Sequence, residues 1–191
     1  MAMFWKTAAL LAAALLMMGA APVPSKSAAA KAPGKAAPAA KSAAKPSAEP
    51  FFDARDPAML VPLLASAGAK AEIAHKEADS VFLSVTSKTV AFTTQFAGCD
   101  AQGRKCAVAL FDSAAVSGGP TLAQINSYNQ TSAMCRGYQD KAGKAHVLYS
   151  SLLFADDSRS RVLQQLAAWR GCLAEFHDFT ADPVAYLAAA P

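Results

Sequence analysis

From Phe51 onward, apolar residues recur at two spacings, and the points where one gives way to the other divide the chain into elements. Val90, Phe92 and Phe96 stand two or four residues apart, which puts them on one face of a strand, with Ala91, Thr93 and Gln95 on the other. A nearly continuous apolar run from Cys106 to Phe111 follows the loop Asp100 to Lys105, and Gly98 and Gly103 mark the reversal as an antiparallel hairpin. Lys70 to His75 and Val81 to Val85 predict two further strands around the polar cluster Glu77 to Ser80. Met134 to Gln139 and His146 to Phe154 flank Asp140-Lys141-Ala142-Gly143, which predicts a second hairpin.

Helical spacing takes over in three places. Asp56-Pro57 supplies an N-cap and a first-turn proline, after which Met59, Leu60, Leu63, Leu64 and Ala67 recur until Gly68. Pro62 lies inside this stretch, where a missing donor predicts a kink or a later start. Thr121 and Gln124 have the spacing of a capping box and open a second helix with Leu122, Ile125 and Tyr128. Asp156, Asp157 and Ser158 offer caps for a long third helix whose expected buried stripe is Val162, Leu163, Leu166, Trp169, Leu173 and Phe176. The class is α+β: an antiparallel sheet of about five strands with three helices, in the order helix, strands, helix, two strands, helix.

The first fifty residues add a compartment. Lys6 precedes an apolar run from Ala8 to Met18 and then Gly19, Ala20 and Ala21. That run is shorter than the about 20 residues a spanning helix needs, so residues 1–21 are expected to be a secretory signal peptide cleaved near Ala20 or Ala21. The protein would then be periplasmic or secreted. Residues 22–50 are Ala, Lys, Pro and Ser with no aromatic, which predicts a disordered tether. Five lysines against Glu49 give this tether a charge of +4, equal to the whole-chain value, so the basic pI belongs to it and not to residues 51–191. Nucleic acid is therefore not an expected partner. The tether's charge fits either a solvated spacer or loose attraction to anionic envelope polymers or lipid.

No catalytic motif with a known spacing occurs in residues 51–191, and neither cofactor nor metal is expected. His75, His146 and His177 fall on separate elements and read as ordinary surface residues. Cys99 and Cys106 are too far apart in sequence for a usual zinc pair, but they flank one loop of a hairpin in an exported chain. They are expected to form a disulfide across its base. Cys135 and Cys172 would then pair with each other or remain two buried thiols. Asn126 and Asn129, three apart on one helix, are the best polar candidates for function, against the alternative that their amides satisfy nearby backbone.

Several of these residues fall in a recognisable order. Phe96-Ala97-Gly98-Cys99, Cys106 and its strand, Ile125-Asn126-Ser127-Tyr128-Asn129, Arg136-Gly137-Tyr138-Gln139-Asp140, and a helix bearing Trp169 and Phe176 together resemble the YbjN domain family across about Leu60 to Phe179. Tyr128 stands where a Trp is usual, and Ala133-Met134 where Arg-Phe is usual. Family members are described as sensory transduction regulators, with a fold similar to type III secretion chaperones, which are dimers that bind extended peptides. With the export expected from residues 1–21 and the missing catalytic motif, the resemblance implies a non-enzymatic binding, chaperone-like or regulatory domain with a protein or peptide partner and a homodimeric state. Its candidate binding residues are Asn126, Tyr128, Asn129, Tyr138 and Asp140. Two other readings stand beside it: a small envelope enzyme using Asn126, Asn129, Tyr138 and Asp140, and a structural component acting through the tether.

Overall fold

A computed structural model describes residues 51–116 and 119–190 of the chain. The signal peptide expected over 1–21 and the tether over 22–50 lie outside the described residues. The elements are α1 (Pro57–Ser66), β1 (Lys70–Lys76), β2 (Ser80–Thr86), β3 (Ala91–Ala97), β4 (Val108–Ala114), α2 (Leu122–Thr131), β5 (Arg136–Gln139), β6 (Ala145–Leu152), α3 (Arg159–Ala181) and α4 (Pro183–Ala189). The class is α+β, with six strands among the described residues, each at a segment named from the sequence, against the expected total of about five, and four helices in place of three.

All strand pairs are antiparallel, in the order β1-β2-β3-β4-β6-β5. β3 and β4 pair from Ala97↔Val108 to Thr93↔Asp112, so the central hairpin has the expected register. The strand starts at Val108 and not at Cys106: Lys105 has a positive φ of 53°, and the Cys106 amide donates to the Arg55 carbonyl at 3.0 Å and not to β3. β5 is likewise shorter than the expected Met134–Gln139. Cys135 leaves the ladder there to join Cys172 on α3.

Alternation decides which sheet face is covered. Val81, Leu83, Val85, Phe96, Ala109, Phe111 and Val147 are buried on one face. Trp169 of α3 packs on it against Phe92 and Phe111, with ring centroids 5.6 and 5.8 Å apart. Ile125 and Tyr128 of α2 meet the same face at Gly137, and α1 lies beside β1. The opposite face carries Phe82, Gln95, Leu110, Asp112, His146 and Leu148, all partly exposed.

α1 begins where Asp56 accepts a hydrogen bond from the Ala58 amide, and it continues through Pro62, whose ring is exposed. The helix therefore does not start late, although Pro62 lies inside it. Solvent at this position can hydrate the carbonyl left without its donor. The capping box of Thr121 and Gln124 is formed. Ser158 caps α3. Asp157 instead accepts from the Phe154 amide at 2.8 Å and pairs with Arg161 at 2.7 Å. Leu163 is 44% exposed and does not belong to the buried stripe, which runs Val162, Leu166, Trp169, Cys172, Phe176 and Phe179. α4 was not anticipated, although Asp182-Pro183 repeats the start signal of α1: the Asp182 carboxylate accepts from the Ala185 amide at 3.0 Å.

Candidate functional site

The alternation along β4, β6 and β5 places four polar side chains together on the open face. Asp112 interrupts the apolar pattern of β4, His146 lies near the start of β6, Tyr138 is its partner on β5, and Asp140 opens the turn between them. The Tyr138 hydroxyl donates to Asp112 Oδ2 at 2.7 Å, and His146 Nδ1 lies 3.0 Å from Asp112 Oδ1. The tyrosine and imidazole rings stack with centroids 4.8 Å apart and 24° between planes. One carboxylate on β4 thus ties together β5 and β6, the hairpin that follows α2 in the chain.

His146 Nε2 is buried and has no hydrogen-bond partner, although Asp140 Oδ2 lies 3.5 Å away. That separation permits charge attraction without hydrogen-bond alignment. A neutral ring donating from Nδ1 turns a lone pair toward Asp140, whereas an imidazolium presents a proton to each carboxylate. Asp140 Oδ1 accepts the amides of Ala142 and Lys144 at 2.8 and 2.9 Å. The Lys144 amide is the chief reason that its carboxyl is held below the ordinary range; burial opposes this, and Ala142 and His146 add to it. The Tyr138 phenol is pushed up, first by burial and then by its bond to anionic Asp112. The group can order an edge and present a 40% exposed aromatic ring beside two carboxylates.

The other candidates fall elsewhere. Asn129 Nδ2 donates to the Gly137 carbonyl at 3.0 Å, and the Gly137 amide donates to Asn129 Oδ1 at 2.7 Å. The side chain thereby imitates a neighbouring strand and occupies the outer edge of β5. Asn126 is exposed on α2 and does not share this contact. Tyr128 is wholly buried, its ring 4.6 Å from Phe179 and 6.0 Å from Tyr186, and its hydroxyl has no hydrogen-bond partner. Burial and the nearby charge of Glu175 push that phenol well up. Tyr186 donates to Glu175 at 2.9 Å, and its phenol is pushed up to about 12, mainly by burial.

Of the five candidate binding residues, the structure brings together Tyr138 and Asp140, and separates them from Asn126, Tyr128 and Asn129. Asp112 and His146 were missed as partners. The one available signal was a lone aspartate in an otherwise apolar strand. Both cysteine pairs, Cys99–Cys106 and Cys135–Cys172, are disulfides. No group of three or more His, Cys, Asp or Glu among the described residues is arranged to hold a metal ion. No helix among them is long and apolar enough to cross a membrane. No protein-family model, curated protein or solved structure matches the chain.

Proposed function

We propose that residues 51–191 form a non-enzymatic binding domain of the bacterial cell envelope, presenting the open sheet face to an extended segment of a protein partner. The observation that carries this reading is the one-sided layering: the helices cover one face, while the other offers Phe82, Leu110, Leu148 and Leu152 beside the Tyr138–Asp112–His146–Asp140 group. An apolar strip with a polar border suits a chain that contributes alternate side chains. Two disulfides agree with an oxidising compartment, as the expected signal peptide requires. The residue series resembling the YbjN family supports the same reading, and with it a fold like that of type III secretion chaperones. A homodimer would cover the same face.

The test is binding of unstructured peptides to the full chain, mapped by amide chemical shifts, at low and high salt. Perturbations on β4, β6 and β5 that persist in salt and vanish in Leu152→Asp or Tyr138→Ala support the reading. Binding that is lost in salt and leaves the sheet unperturbed would assign the interaction to the basic tether. Turnover of any envelope substrate that disappears in His146→Ala would replace the proposal with the enzymatic alternative, whose site would then be the polar group and not Asn126 and Asn129.

A further inference from the structure

The helix layer has its own hollow surface, distinct from the open sheet face. Between α3 and the β2–β3 turn lie two hollows of about 420 and 520 Å³, joined through Thr89, Val90 and Leu173, which line both. The first is bounded by the end of α1 and floored by Leu64, Phe92 and Leu166, and the second reaches the end of β4 and Phe176. Together they make a trough along α3 from Leu163 to Thr180, about 25 Å at the usual ~1.5 Å rise per residue. Leu163, which helical spacing would bury, is 44% exposed on its wall.

Charge on the trough is one-sided. Lys88 of the β2–β3 turn and Arg170 of α3 line it, both are exposed, and neither has a carboxylate within ion-pair distance among the described residues. His177 stands at the far end, 3.3 Å from Asp178. Among the described residues, no Asp or Glu lines either hollow.

We propose that this trough docks an amphipathic helix of a partner protein, with acidic residues flanking its apolar stripe. A helix satisfies its own backbone, so the trough need supply only an apolar floor, and residues at i, i+3, i+4 and i+7 would fill it. Among the described residues, the trough is open along its length. A lone acyl chain there would leave one side in water, whereas a helix turns its polar face outward. The composition of residues 22–50, five lysines against one glutamate, has the same sign as Lys88 and Arg170 and does not match the trough's charge.

Two labelled 18-residue peptides with the same leucine stripe, one flanked by Glu and one by Lys, are titrated by anisotropy into the full chain. The Glu peptide should bind at least about tenfold more tightly, and Lys88→Glu with Arg170→Glu should reverse that preference, because rim charges discriminate between partners. Leu163→Asp should weaken both peptides. All three positions are exposed, so thermal midpoints should not move; if Leu163→Asp does unfold the domain, the charge reversal alone decides. A Glu preference that survives the reversal belongs to the tether and overturns the proposal. Equal affinity for the two peptides, or none for either, overturns it too. So does displacement of the Glu peptide by phosphatidylglycerol vesicles, which would make lipid the occupant. Because the open-face variants Leu152→Asp and Tyr138→Ala leave the trough untouched, failure here is distinguishable from failure of the proposed function.

Discussion

The two hairpin turns, Asp100 to Arg104 and Asp140 to Lys144, share one set of hydrogen bonds and are anchored by opposite means. In each, an aspartate side chain accepts the amides two and four residues on, its own amide donates to the carbonyl four residues on, and a glycine three residues on has positive φ. The first turn joins strands flanked by β2 and β6 and is closed by a disulfide seven residues apart in sequence. The second turn follows the edge strand β5. That strand is held by Asn129 from α2, by Asp112 from β4, and by a disulfide spanning 37 residues to α3. A local turn code specifies both hairpins equally. Where the sheet ends, stability must come from elements distant in sequence.

The largest effect should separate the two disulfides. By loop-closure entropy, the local bridge contributes about 2.5 kcal/mol and the long one about 4 kcal/mol. Cys135→Ala with Cys172→Ala should therefore lower the denaturation midpoint more than Cys99→Ala with Cys106→Ala, at similar slope. If the local pair costs more, the edge hairpin does not depend on its distant tie and the contrast collapses.

The edge clamp comes next. Asn129→Ala leaves the buried Gly137 amide and carbonyl unpaired, a cost of about 2 kcal/mol. Gly137→Ala places a Cβ 3.2 Å from Tyr128 Cδ1 and 3.4 Å from Ile125 Cγ2, both in a packed layer, and should cost about 1 to 3 kcal/mol. Since both changes strain the α2–β5 contact, their combined effect should be less than additive. Urea titration of the double variant checks this; full additivity would mean that the residues act independently.

Legibility in the sequence followed the same division. The central hairpin was readable because alternation, a glycine-bearing loop and two flanking cysteines all act within twenty residues of one another. The long cysteine pair was not decidable from the chain, because it depends on where α3 crosses the sheet. Asn129 was visible as a polar residue, but its geometry, an amide standing in for a missing strand, requires β5 to be an edge. Tyr138 and Asp140 lie two apart and could be seen together. Their link to Asp112 and His146 passes through the β4–β6 pairing, which joins segments on either side of α2. Leu163 fell outside the buried stripe because α3 leaves an uncovered side above β2 and β3, and periodicity does not report which flank of a helix has a neighbour.

The smallest effect concerns the charge within the second turn. Asp140 is held below the ordinary carboxylate range, chiefly by the Lys144 amide, while burial pulls the other way and Ala142 and His146 reinforce the lowering. A depressed folded value means that the unfolded chain binds its proton first, at about pH 3.9. The contribution is therefore complete above that pH and is lost as pH falls through the folded value. Exchange protection of the Ala142 and Lys144 amides should consequently persist below pH 4 and then fall, while Asp140→Asn should make their protection insensitive to pH over that range. The Asn carbonyl can still accept both amides, so the variant removes the titration and keeps the turn. Loss of protection centred at or above pH 3.9 would show that the Lys144 and Ala142 amides do not favour the charged form, and that shape alone holds the edge turn.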